Sequence, residues 1–310
     1  MNRDATRTTE PSREVELIDA VRHAPLNRPL AVSAALLAVY VIWGSTYLGI
    51  RFALEGFAPF QMAGVRFVIA GSVLYAALRA RGRPAPTWRQ WRASAAVGAL
   101  LLVGGMGLVA FAEQWIASGL AAVWIATMPL WAALFAGLLG RWPRRLEWLG
   151  MGLGVAGVVL LNLEGNLQAN PIGALALTCA TISWALGSIW SSRLSLPSGL
   201  MSSATEMLCG GVLLAALSLV IGEPAPHPTV RSVLALAYLI VFGSLIAFSA
   251  YGYLLRVVRP TLATSYAYVN PIVAVALGIA LAAEPIGSNG ILALLVILVG
   301  VGLVATSRGS

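Results

Sequence analysis

Four pairs of residues stand four positions apart within long apolar stretches of the chain: Trp43 with Tyr47, Trp124 with Met128, Trp184 with Ser188, and Tyr266 with Asn270. On a helix that spacing puts both members on one face, so each pair offers an aromatic surface beside a polar or polarisable group. Such a lining suits a small ligand with an apolar side chain and a polar backbone, an amino acid for example. Apolar walls supply affinity there and a few polar groups fix orientation. The same spacing also serves plain packing of helix on helix.

Two charged residues fall inside apolar stretches, Arg66 and Glu206. An ionised side chain at mid-membrane depth costs about 2.5–3.5 kcal/mol on insertion scales, so each needs a reason to be there. Arg66 fits a substrate carboxylate and Glu206 a proton-coupling site; local pairing or snorkelling to the nearer surface accounts for them equally well. Pro129 and Pro271 each remove a backbone donor in mid-helix and read as helix breaks, serving as hinges or exposing carbonyls. Phosphate-binding GxxxxGK[ST] loops are absent and the chain has no lysine, which excludes an ATP-driven pump of that type within it. There is no HExxH motif, no clustered Asp pair and no Ser/His/Asp set, and His23 and His227 lie outside the apolar stretches. The residues therefore point away from an enzyme, and no cofactor or metal is expected. Cys179 and Cys209 read as small buried apolar residues.

These side chains need a membrane-sized scaffold. Of the 310 residues, 59% are hydrophobic and 10% charged, with a mean hydropathy of +0.84. A bilayer core about 30 Å thick takes about 20 apolar residues per helix. Ten candidate spans follow: 30–50, 60–78, 93–112, 119–139, 147–163, 171–191, 200–221, 232–255, 261–282 and 288–306. Unbroken runs such as Ala93 to Ala112 favour helices over a lipid-facing β-barrel, whose strands alternate. The expected fold class is an all-α polytopic membrane protein. The first span reads as uncleaved, because it starts late and is too long for a signal peptide.

Cytoplasmic loops collect Lys and Arg. With both termini inside, all of the 20 arginines except Arg51, Arg66 and Arg231 fall in cytoplasmic segments. The expected location is therefore a bacterial inner (plasma) membrane, multi-pass, with a cytoplasmic tail over 1–29. The outer loops carry Glu55, Glu113, Glu164, Glu223 and Glu284. The net charge of +8 is then a topology signal and not a nucleic-acid footprint; the expected partners are membrane lipid and a small-molecule substrate. Oligomeric state is not legible, because the glycine-rich faces could serve contacts within or between chains.

Landmarks recur at a steady offset. Trp43 and Trp184 are 141 apart, Pro129 and Pro271 142, and Gly157 and Gly300 143. One unit is then five spans, 30–163 and 171–306, and an odd number forces the second unit to enter the membrane from the opposite side. Two five-helix inverted repeats around a central cavity are the expected arrangement.

Four segments carry a family likeness: Tyr40 to Tyr47 (YVIWGSTY), Ala63 to Phe67 (AGVRF), Ser183 to Ser188 (SWALGS) and Ala263 to Pro271 (ATSYAYVNP). Together the sequence resembles the EamA-type branch of the drug/metabolite transporter superfamily over about residues 31–306, and within it the bacterial amino-acid exporters. The resemblance implies ten helices in two inverted repeats, a cavity between them, and export of amino acids or related metabolites and drugs. One departure is that the acidic pair near the end of the fourth-type helix is present as Glu284-Pro285 but replaced by Arg141-Trp142 in the first unit. The leading expectation is an exporter of neutral or aromatic amino acids working by alternating access. A multidrug or other metabolite exporter of the same fold, or a channel-like facilitator, is the alternative.

Overall fold

The computed structural model describes residues 28–116, 118–138, 140, 142–162, 170–282, 292, 295, 296, 299, 300 and 303. The N-terminal tail, Glu164, Glu284-Pro285, Arg141 and nearly all of the stretch 288–306 lie outside the described residues. The described residues form helices and turns, with no strand among them. Among them six helices are long and apolar enough to cross a membrane: α1 (Pro29–Ala53), α2 (Pro59–Ala80), α3 (Trp88–Ala112), α7 (Pro171–Ser191), α8 (Leu200–Ile221) and α9 (Val230–Val257). Between them lie α4 (Ser118–Ile125), α5 (Met128–Leu138) and α6 (Arg145–Asn162), and after them α10 (Pro260–Ala263) and α11 (Tyr266–Ala282). Helices satisfy their own backbone groups, as lipid requires.

Local chemistry sets the helix ends. Proline opens α2 and α7, where a missing N–H costs nothing. Thr87 and Gln90 form a capping box at the start of α3, and Thr229 with Ser232 forms one at the start of α9. At α2 the cap comes from another part of the chain: the Glu223 carboxylate accepts from Phe60 N at 3.1 Å and Gln61 N at 2.8 Å, placing negative charge at the positive end of the helix.

α2 and α8 form the central seam. A Cβ added at Gly64 would lie 2.8 Å from the Ala215 nitrogen, one at Gly71 2.7 Å from the Leu208 nitrogen, and one at Gly211 2.6 Å from the Val68 nitrogen. Partner numbers fall as α2 numbers rise, so the two helices run antiparallel with their backbones nearly touching. α3 carries a π-helical stretch over Ala99–Gly107, and α9 one over Leu239–Phe248. A third occupies Val39–Trp43 of α1.

Two expectations need correction here. The stretches 119–139 and 261–282 are not single helices broken at their prolines. The first breaks at Ala126-Thr127 and the second at Thr264-Ser265, so Pro129 is the second residue of α5 while Pro271 lies within α11. In each break a hydroxyl takes a carbonyl three residues back, Thr127 Oγ1 that of Trp124 at 2.7 Å and Ser265 Oγ that of Leu262 at 2.7 Å. Thr46 and Thr181 make the same bond within continuous helices, so these hydroxyls satisfy the freed carbonyls without by themselves ending a helix. Cys179 is also exposed and Cys209 only partly buried, because Cys179 sits on the outward stripe of α7 with Ile172 and Leu175.

Candidate functional site

The three π-helical stretches border one place. A π turn is wider than an α turn and is common at functional sites; here the stretches turn Trp43, Gly105 and Met106 inward. Trp43 Nε1 donates to the Gly243 carbonyl at 3.0 Å, tying α1 to the π stretch of α9. Around Trp43 the rings gather: Trp184 at 5.4 Å between centroids, Tyr251 at 5.1 Å and Tyr266 at 4.8 Å. The approaches to Trp184 and Tyr266 are edge-to-face, as ring quadrupoles favour. Trp184 Nε1 donates to Tyr251 Oη at 3.1 Å, and Ser188 Oγ lies 2.6 Å from the same hydroxyl. Gly105 admits the Trp184 ring, which a Cβ there would overlap.

Against this cluster lies a chamber of about 60 Å³. Trp43, Tyr47, Met128, Trp184, Tyr266, Asn270 and Arg66 line it, contributed by α1, α2, α5, α7 and α11. Trp124 and Ser188 do not. The break at Ala126-Thr127 separates Trp124 from Met128, so the two do not share one helical face. Trp124 instead donates to Thr178 Oγ1 at 3.2 Å in the seam with α7. Ser188 is buried behind Trp184, bonding its carbonyl at 2.7 Å. Pro129 and Pro271 are buried, and neither lines the chamber. Glu206 lies elsewhere: it accepts from Ser202 Oγ at 2.5 Å and borders a separate cavity of about 360 Å³ with Ser191, Ser192 and Arg256.

Asn270 joins α11 to α1. In the amide orientation that its network requires, its nitrogen donates to the Tyr266 carbonyl at 3.1 Å and the Tyr40 carbonyl at 3.3 Å. The Tyr47 hydroxyl bonds the same amide.

Arg66 is the charged member of the chamber, only 2% exposed. Its Nε donates to Ser244 Oγ at 2.7 Å and its guanidinium carbon lies 4.7 Å from the centre of the Phe67 ring. Nη2 has no hydrogen-bond partner. A Cβ at Gly243 would come within 2.7 Å of Nη2, so glycine there leaves the guanidinium its room.

Four residues have places that the sequence reading did not assign. Tyr251 backs the ring cluster from α9, and its pairing with Ser188 crosses 63 positions of chain. Thr46 and Thr181 add hydroxyls to the chamber wall; their signal was a polar residue on the faces of Trp43 and Trp184. Glu113, the residue after α3, is 9% exposed with neither carboxylate oxygen partnered. Burial pushes its carboxyl well above the ordinary carboxylate range, against the pull of Arg51.

Six apolar membrane-length helices among the described residues, and one family pattern met twice along the chain, mark a membrane transport protein as a class. The chain belongs to the EamA-like transporter family, which matches it twice, over residues 30–163 and 171–306. It is 48% identical over 281 residues to the uncharacterized inner membrane transporter YedA of Escherichia coli strain K12, covering 90% of this chain and 92% of that protein. Protein PecM of Dickeya dadantii is 27% identical over 242 residues, covering 76% and 80% respectively. A solved crystal structure superposes with a TM-score of 0.74 at 24% identity, covering 89% of this chain and 96% of that one, a likeness of fold.

Proposed function

We propose that this protein exports neutral, chiefly apolar or aromatic amino acids across a bacterial inner membrane by alternating access, with both termini cytoplasmic. The observation that supports this best is the chamber itself. Trp43, Trp184 and Tyr266 supply apolar walls while Arg66, Tyr47 and Asn270 supply polar groups on the same small space. Its volume of about 60 Å³ holds about two waters, far below the roughly 300 Å³ at which ligand pockets begin. The bound state therefore needs the helices to part, which a carrier does in every cycle.

The test is uptake of labelled Trp, Phe, Met, Thr, Glu and Lys into proteoliposomes holding the purified protein, with and without a pH gradient. Saturable entry of the neutral members, lost in Trp43→Ala and Trp184→Ala protein that still elutes as a folded species, supports the reading. Entry of none returns the protein to a drug or other metabolite exporter. Flux that does not saturate and ignores substrate on the far side makes it a channel-like facilitator.

A further inference from the structure

The chamber has one full charge among its described lining residues, and that charge is positive. Arg66 lies on α2 at the point where α1, α3 and the π stretch of α9 converge. Its Nε is held by Ser244, which fixes the plane of the fork. Nη2 is buried and unpartnered. Among the described residues the two ion pairs are Arg231 with Glu55 and Arg259 with Glu147; no described carboxylate reaches Arg66. A guanidinium held at one nitrogen and unpartnered at another is a pre-set donor for a planar oxyanion, and desolvation strengthens its attraction to any anion it meets.

The opposite charge has no matching seat. No Asp or Glu is among the described residues that line the chamber. An ammonium group there would meet the hydroxyls of Thr46 and Thr181, the Tyr47–Asn270 pair and ring faces, and the one acid within electrostatic reach of Tyr47, Glu113, is pushed toward its neutral form by burial. Those give weak, sequence-tolerant support to a cation.

We propose that Arg66 is the obligatory anchor for the carboxylate of the transported molecule, and that the amino group is dispensable. This rests on the transport reading of the chamber and deepens it. The substrate class becomes monocarboxylates bearing an apolar or aromatic group, with amino acids as one subset beside deaminated acids of the same carbon skeleton. Amines and amides of that skeleton bind more weakly, because an amide brings only a neutral acceptor to Nη2 and an amine sets a positive charge against it.

The experiment uses the full-length protein in lipid nanodiscs and four ligands sharing one ring: phenylalanine, 3-phenylpropanoate, phenylalaninamide and phenethylamine. Binding is read by quenching of the tryptophan fluorescence. Binding of the two carboxylates at comparable affinity, and of the amide and amine at least tenfold more weakly, is the expected result. Arg66→Gln should weaken 3-phenylpropanoate at least tenfold, and Arg66→Lys, which keeps the charge and guards against loss of fold, should weaken it less. Equal binding of phenethylamine and 3-phenylpropanoate overturns the proposal, as does an Arg66→Gln protein with unchanged affinity for the acid, or binding of none of the four. If 3-phenylpropanoate binds through Arg66 and phenylalanine does not, the anchor stands and the amino-acid reading fails.

Discussion

α2 and α8 are the same helix written twice, 22 residues each, starting at Pro59 and Leu200 and ending just before a turn glycine with positive φ, Gly82 or Gly222. α1 and α7 both begin at proline, Pro29 and Pro171. α3 and α9 both open on a capping box and both pass into a π stretch after two to three turns. Outside the Glu223 cap of α2 and the π stretch of α1, which α8 and α7 lack, the frame is therefore duplicated. The chamber lining is not. At the offset of α2 to α8, Arg66 in one half answers to Met207 in the other, which is fully buried in the core. By the Trp43 to Trp184 offset Tyr47 answers to Ser188, and Met128 answers to Asn270 across the proline pair. The comparison teaches that helix geometry was kept in both copies while chamber chemistry diverged, so residues that break the symmetry are those to suspect of recognising something.

The largest expected effect tests the tryptophan position that both halves kept. Trp43→Ala and Trp184→Ala should each cost about 3–5 kcal/mol of stability, measured by thermal unfolding of the purified protein. If Trp184→Ala is far milder, the ring cluster depends on one half alone. Glu223 has no equivalent at the start of α8, where no side chain caps the helix. Glu223→Ala should cost about 1–2 kcal/mol and make α2 the first helix to exchange its amide hydrogens; unchanged protection of residues 60–62 would remove the cap from the account.

Glu113 is another asymmetry, and its effect is a slope. Because its folded-state pKa is raised, the folded protein holds a proton that the unfolded chain releases near pH 4.3. Stability should fall as pH rises from there toward the raised value, by at most about 1.4 kcal/mol per unit. Glu113→Gln should flatten that fall, and midpoints measured from pH 4 to 9 would show it. The smallest effect is expected to be symmetric: Thr87→Ala and Thr229→Ala should each cost about 1 kcal/mol and match each other. A twofold mismatch would mean that the two capping boxes do not carry equal loads.

Much of this frame was legible because lipid permits few solutions. Long apolar runs must be helices, and the six spans fall close to where hydropathy places them. The chamber was partly legible through i, i+4 spacing, which gathers Trp43 with Tyr47 and Tyr266 with Asn270. That logic stopped where a helix stopped. Trp124 and Met128 share a face only on an unbroken helix, and the helix is interrupted at Ala126-Thr127, in the turn before Pro129. Tyr251 was invisible for another reason: its partners Trp43, Trp184 and Ser188 are brought to it by the packing of α9 on α1 and α7, which no local pattern encodes.

The glycine contacts of α2 with α8 have an electrical consequence. Where two backbones come so close that a methyl group at Gly64, Gly71 or Gly211 would strike a main-chain nitrogen, no file of water fits between them. That seam is then part of the insulation of the membrane, and an ion crossing the protein has no route along it. An alanine at Gly71 would force the seam apart, and the loss would register first as a proton leak through substrate-free liposomes.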